Sequence, residues 1–301
     1  MLMNGGPEEQ LGGFDRPPFR RRESDLQQRT VRRGMYIVPS AFTVANIGAG
    51  FYAILHTMGG RAVPAERFDH AAIAIGFAIL FDGLDGRIAR MTNTTSEFGK
   101  ELDSLADAIT FGVAPALLAY AWGFSHLAEG QIEPGLFQRI ISVGAVVCFA
   151  FLICGVSRLA RFNISKNPVP KNPGRPGRKY FVGMPIPAGA GVIASVVHFV
   201  SGKPIYYWPY ALAWAVLVAA SSFLMVSTWR FYSGKEINLR QRHPFYGIIL
   251  IGLLLAVVCL FHHEALLSIA LGYMLSGILF RLTYAMRRRG AAGSHSTVGP
   301  V

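Results

Sequence analysis

Eight apolar runs, each close to the roughly 20 residues that a helix needs to cross a hydrocarbon core of about 30 Å, leave this chain little choice of solvent. They lie at about 38–58, 69–89, 105–122, 139–160, 183–200, 208–228, 245–262 and 265–282. Only His262, His263 and Glu264 part the last two, which reads as a tight helical hairpin. Lipid offers a backbone no hydrogen-bond partner, so runs of this length must be helices, and the expected fold is all-α. Composition agrees, with 15% of the 301 residues charged and 52% hydrophobic. A charged fraction so far below the ~25% of soluble proteins suggests a lipid-embedded chain, and the apolar content excludes a disordered one. Three cysteines exclude a disulfide scaffold; Cys148, Cys154 and Cys259 all sit inside apolar runs and read as small buried hydrophobes.

The basic residues give the orientation. With eight spans both termini share one side, and 25 of the 29 Lys and Arg fall on it, leaving Arg61, Arg67, Arg139 and Lys203 on the other. By the positive-inside rule the protein is polytopic in the cell (inner) membrane with both termini cytoplasmic. Residues 1–35 are polar and Arg-rich, without the apolar core of a cleavable signal, and read as a disordered cytoplasmic tail, either lying on anionic headgroups or simply solvated. A second disordered tail is expected over 286–301, with one membrane domain over 36–285 between them. Four prolines from Pro168 to Pro176 make that loop irregular. Nucleic acid is not an expected partner, because the basic residues alternate with spans instead of forming one folded patch.

Against this background four aspartates stand out. The second run leads directly into Asp82, Gly83, Leu84, Asp85 and Gly86, and the third opens with Glu101, Asp103 and Asp107. An ionised Asp near the membrane centre costs about 2.5–3.5 kcal/mol on the insertion scale, so four must face water, a cation or each other. Asp82 and Asp85 are three residues apart, Asp103 and Asp107 four, so each pair shares a helix face. Two helices meeting on those faces gather four carboxylates, whose mutual repulsion calls for cations. Oxygen ligands without His or Cys favour Mg²⁺ or Mn²⁺ over zinc. Two such ions can hold the attacking and leaving oxygens of a phosphoryl transfer. Gly83 and Gly86 strip side chains from the same stretch and permit close approach of a ligand. Arg90, two turns beyond Asp82, is placed for a phosphate oxygen. A transporter with an acidic cation site is the competing reading from another class; it would spread acidic residues over both halves, whereas here they concentrate between 82 and 107.

Asp82, Asp85, Gly86, Ala89, Arg90, Gly99, Asp103 and Asp107, at these spacings, resemble the signature of the CDP-alcohol phosphatidyltransferases at all eight of its positions. The stretches Asp103–Pro115, Arg158–Asn163 and Phe181–Pro187 are similar to blocks of the phosphatidylserine synthase branch, and Pro39–Asn46 to its first span. The resemblance covers roughly 36–285. It implies transfer of the phosphatidyl group from CDP-diacylglycerol to L-serine, with release of CMP. It implies that Asp82, Asp85, Asp103 and Asp107 hold a pair of divalent ions, with Asp107 also the general base. Nucleotide and phosphate contacts carry over to Asp82, Gly86, Ala89, Arg90 and Gly99, the last letting an inter-helix loop turn over the nucleotide. A homodimer among membrane lipids is implied as well. A serine carboxylate calls for an Arg fork, and Arg158 and Arg161, with Asn163 beside them, are the candidates. Glycerol phosphate, inositol phosphate or choline are the alternative acceptors.

The remaining polar residues invite plainer readings. His198, His243, His262 and His263 show no metal-ligand spacing with carboxylates and are expected at membrane edges. Tyr206, Tyr207, Trp208 and Tyr210 suit an interfacial aromatic belt.

Overall fold

The computed structural model of the chain describes residues 41–92, 97–130, 132–164, 180–232, 252–253 and 256–294. Helix α1 occupies 41–57 and ends in a turn where Gly59 and Gly60 take φ of +131° and +59°. Then follow α2 (Ala65–Thr92), α3 (Glu97–Asp107), a π-helical turn over Ala108–Val113, and α4 (Ala114–Gly123), so that 97–123 is one continuous rod. The rest comprises α5 (Pro134–Ile164), β1 (Tyr180–Val182), α6 (Ile186–Phe199), α7 (Trp208–Val226), β2 (Arg230–Tyr232) and α8 (His262–Ser294).

Helix thus covers seven of the eight apolar runs; the run at about 245–262 falls mostly outside the described residues. Among the described residues four helices are long and apolar enough to cross a membrane: Glu97–Gly123, Pro134–Ile164, Trp208–Val226 and His262–Tyr284. Their packing is that of a protein in lipid. Val146, Phe149, Val216, Phe223 and Leu279 point outward and are more than half exposed, while small residues fill the contacts between helices. The buried stripe of α2 is Phe68, Ala71, Ala72, Ile75 and Ala78, at helical spacing, and it packs on α6. Gly144 of α5 lies against the Phe124 ring, and Gly155 against Ile186. Without a hydrophobic force between helices, such close backbone approach supplies the association energy. Indole donors find carbonyls: Trp122 Nε1 donates to Lys203 O (2.9 Å) and Trp214 Nε1 to Ala119 O (3.0 Å).

Helix α6 is the hub, touching α2, α5, α7 and α8 and burying nine of its 14 residues. It is shorter than the run that encodes it because Pro185 and Pro187 fix its first turn. Just before it, the described residues depart from the all-α expectation. Strands β1 and β2 form an antiparallel ribbon pairing Phe181 with Phe231 and Val182 with Arg230. Phe231 is fully buried, and Gly183, at φ +76°, turns the chain so that its N–H reaches Trp229 O (2.9 Å). The ribbon closes the end of the bundle where α5 and α7 terminate.

The opposite end gathers histidines. His198, His262 and His263 come together there with Asp69, although their sequence positions show no ligand spacing. His243, the Arg-rich tail and the proline-containing loop lie outside the described residues, while α8 continues to Ser294, past residue 286. Tyr206, Tyr207 and Tyr210 are exposed, as an interfacial belt requires.

Candidate active site

Two helices bring the carboxylates together. Asp82 lies toward the C-terminal end of α2, and Asp103 and Asp107 lie on one face of α3. Carboxylate oxygens of all three fall within 4.8 Å of one another. Asp85 and Arg90 follow on α2 one and about two turns beyond Asp82, with Gly86 and Ala89 between them. A Cβ on Gly83 would meet nothing within 4 Å, so the helix beside Asp82 is open to a ligand.

The rod carrying Asp103 and Asp107 changes pitch directly after them. In the π-helical turn, the Ala114 N–H reaches back five residues to Ile109 O. Such a turn inserts an extra residue and often marks a functional site. Here it buries Thr110, whose Oγ1 donates to Asn46 O (3.0 Å) and locks α1 onto the rod. Gly50 makes that contact possible, since a Cβ there would sit 2.5 Å from Thr110 Oγ1. Asn46, 1% exposed, consequently lies beside Asp107. Asp107 Oδ1 and both amide atoms of Asn46 are buried without a hydrogen-bond partner among the described residues. The unpartnered Asp107 oxygen leaves the carboxylate cluster able to accept a hydrogen bond or a cation.

From the other side α5 supplies Arg158, 8% exposed, which faces Asp107 and Tyr273 of α8. Its Nε has no partner among the described residues. The other two candidates for the acceptor site are occupied by the protein itself. Arg161 donates Nη1 to Val226 O (3.0 Å), and its Nη2 reaches the carbonyls of Val182, Met225 and Ser227 at 3.3–3.4 Å. Its fork thereby ties α5 to the end of α7 and to the ribbon. Asn163 Nδ2 donates to Ser104 Oγ (2.9 Å), pinning the end of α5 to α3.

The structure thus brings Asp82, Asp103, Asp107 and Arg158 together, and sets Arg161 and Asn163 in the frame around them. Gly99 lies in the first turn of α3 and not in the loop between helices, which corrects the expectation for that residue. The side chains of Asp85, Ala89 and Arg90 lie outside the described residues. Sequence reasoning gave no role to Asn46 or Tyr273. For Asn46 the signal was present, since an amide within a lipid-length run demands a buried partner. Tyr273 is one of 11 tyrosines, and nothing in its spacing sets it apart.

Comparison with known proteins points the same way. Residues 36–226 match the family model described as CDP-alcohol phosphatidyltransferase. A Helicobacter pylori protein named CDP-diacylglycerol–serine O-phosphatidyltransferase is 36% identical over 253 residues, spanning 81% of this chain and 91% of its own. Proteins of the same name from Bacillus subtilis (33% identity; 67% of this chain, 93% of the relative) and Mycobacterium tuberculosis H37Rv (38%; 65% and 62%) are also similar.

Proposed function

The chain belongs to the CDP-alcohol phosphatidyltransferase family, and from that premise we propose that it transfers the phosphatidyl group of CDP-diacylglycerol to L-serine, giving phosphatidylserine and CMP. The observation that carries the reading is the convergence of Asp82, Asp103 and Asp107 opposite the buried Arg158. The shared name of the relatives supports serine as the acceptor.

The donor set suits hard divalent ions: three carboxylates, no imidazole or thiol among them, and one buried Asp107 oxygen with no described protein partner. Asp82, Asp103 and Asp107, with Asp85 one turn on, would hold Mg²⁺ or Mn²⁺ as a pair. Bound there, the ions supply positive charge to the pyrophosphate oxygens as charge builds on them. Asp107 takes the proton of the serine hydroxyl as that oxygen bonds to the phosphorus bearing diacylglycerol. The bond from this phosphorus to the bridging oxygen breaks, and that oxygen leaves with CMP. Asn46 lies beside Asp107, held there by the Thr110 bond to its carbonyl. Arg158 receives the serine carboxylate, and its burial makes that pairing stronger than it would be in water. Arg161 and Asn163 belong to the acceptor site as its frame, holding α7, the ribbon and α3 around Arg158. Asp82, Gly86, Ala89, Arg90 and Gly99 contact the nucleotide and its phosphates.

The topology that goes with this reading has eight spans over 36–285, both termini and the carboxylates on the cytoplasmic side of the cell membrane, and a homodimer. The 25-to-4 distribution of basic residues supports the orientation. An acceptor panel tests the function. Purified protein given CDP-diacylglycerol and serine, glycerol phosphate, inositol phosphate or choline should release CMP only with serine. Release with another alcohol alone would keep the chemistry and overturn the acceptor.

A further inference from the structure

The end of the bundle remote from the carboxylates carries a second assembly of ligand-type side chains. Asp69 stands near the start of α2, 13 residues before Asp82, which is about 20 Å along the helix. His198 lies near the end of α6, and His262 and His263 open α8. His198, 7% exposed, holds Asp69 Oδ1 with its Nδ1 at 2.6 Å, and its Nε2 lies 2.9 Å from His262 Nδ1. His263 Nδ1 sits 2.7 Å from His198 O. A carbonyl and a carboxylate oxygen accept, so both of these Nδ1 atoms donate; the Nε2 of His263 keeps a lone pair, and the Nε2 of His198 accepts from His262 Nδ1. The rings of His198 and His263 stack at 4.3 Å, His262 is 4.1 Å from His263, and one nitrogen from each of the three falls within 4.8 Å of the others.

We propose that His198, His262 and His263 bind one transition-metal ion of the zinc class, with Asp69 orienting His198. Imidazole nitrogens select such ions over Mg²⁺ or Mn²⁺. Ligating histidines commonly donate their second ring nitrogen to a carboxylate or a backbone carbonyl, and His198 and His263 do both of these here. Tetrahedral zinc–nitrogen bonds of about 2.0–2.1 Å set ligand nitrogens about 3.4 Å apart, so loading parts His198 and His262 by roughly half an ångström and replaces the hydrogen bond between them, the His262 proton moving from Nδ1 to Nε2. The fourth position is left to water. The ion clips α2, α6 and α8 together far from the transfer chemistry, and it does not depend on the proposed activity.

The test uses full-length protein purified in detergent without a histidine tag, exposed to Zn²⁺ alone, passed over a weak chelator and analysed for metal by mass spectrometry. The wild type should retain about one Zn²⁺ per chain, and so should Asp103→Asn, which separates this site from the carboxylates. A His56→Gln, His70→Gln variant should retain it too. His262→Gln with His263→Gln should lose it, and Asp69→Asn should bind about 10–100-fold more weakly. Co²⁺ loaded into the wild type should show the visible bands of a tetrahedral site, absent from the double variant. Wild-type protein that is folded yet retains no zinc, or a double variant that retains as much, would overturn the proposal and leave a metal-free Asp69–His198–His262 hydrogen-bond chain.

Discussion

The two ends of the bundle solve the same problem, polar groups inside an apolar molecule, with opposite materials. At one end hard carboxylates from α2 and α3 crowd within 4.8 Å, with the buried Arg158 near Asp107. At the other, three imidazoles from α6 and α8 gather, His198 stacked on His263, steadied by Asp69 and a backbone carbonyl. Helix α2 runs through both, yet oxygen donors suit Mg²⁺ or Mn²⁺ and nitrogen donors suit zinc. The two clusters thus differ in the ions that they favour, and separating them by chemistry is the way to test each.

The largest expected effect is at the carboxylates. Asp103→Asn should lower serine-dependent CMP release by at least about 10²–10³-fold, the scale of losing one preorganised electrostatic contact at the reacting centre. Steady-state rates with protein shown to be folded would check this, and an effect below tenfold would remove Asp103 from the site. Next comes Arg158→Lys, which keeps the charge and loses the fork. A charge-assisted hydrogen bond worth about 1.5–3 kcal/mol predicts a 10–100-fold rise in KM for serine, with KM for CDP-diacylglycerol little changed. Equal changes in both would make Arg158 a packing residue. Gly183→Ala puts a methyl at φ +76° and 2.5 Å from Met225 O, and should cost about 1–3 kcal/mol, visible as a lower melting temperature in detergent. The smallest effect sharpens the contrast between the two ends: His262→Gln with His263→Gln should leave serine transfer within about twofold of wild type while abolishing zinc retention. A large loss of transfer would show that the two ends are coupled.

The contrast also explains what the sequence could reveal. The carboxylates lie within 26 residues on two neighbouring helices, so helical spacing alone puts Asp82 with Asp85 and Asp103 with Asp107 on shared faces. His198 and His262 are 64 residues apart, and only the docking of α8 on α6 joins them; periodicity carries no trace of that. Arg161 was legible as a basic residue at a span end, but its four carbonyl partners come from the end of α7, the Ser227 that follows it and β1, whose meeting is tertiary. The ribbon was hidden for a similar reason. Three-residue strands have too few positions for an alternating pattern, and Phe181 and Phe231 read equally well as ends of apolar runs. Helix positions were largely readable because lipid demands them, whereas contacts among helices in lipid rest on small residues such as Gly50 and Gly155, which carry no directional signal.

The measurement that bears most directly on the central claim is incorporation of labelled serine into lipid from CDP-diacylglycerol. It compares wild type with Asp107→Asn, each with Mg²⁺, with Mn²⁺ and with EDTA. The account predicts metal-dependent labelling by the wild type, abolished by EDTA, and a drop of about 10²–10⁴-fold in Asp107→Asn, the range for removing a general base. Labelling that persists in EDTA, or in Asp107→Asn at near wild-type rate, would contradict it.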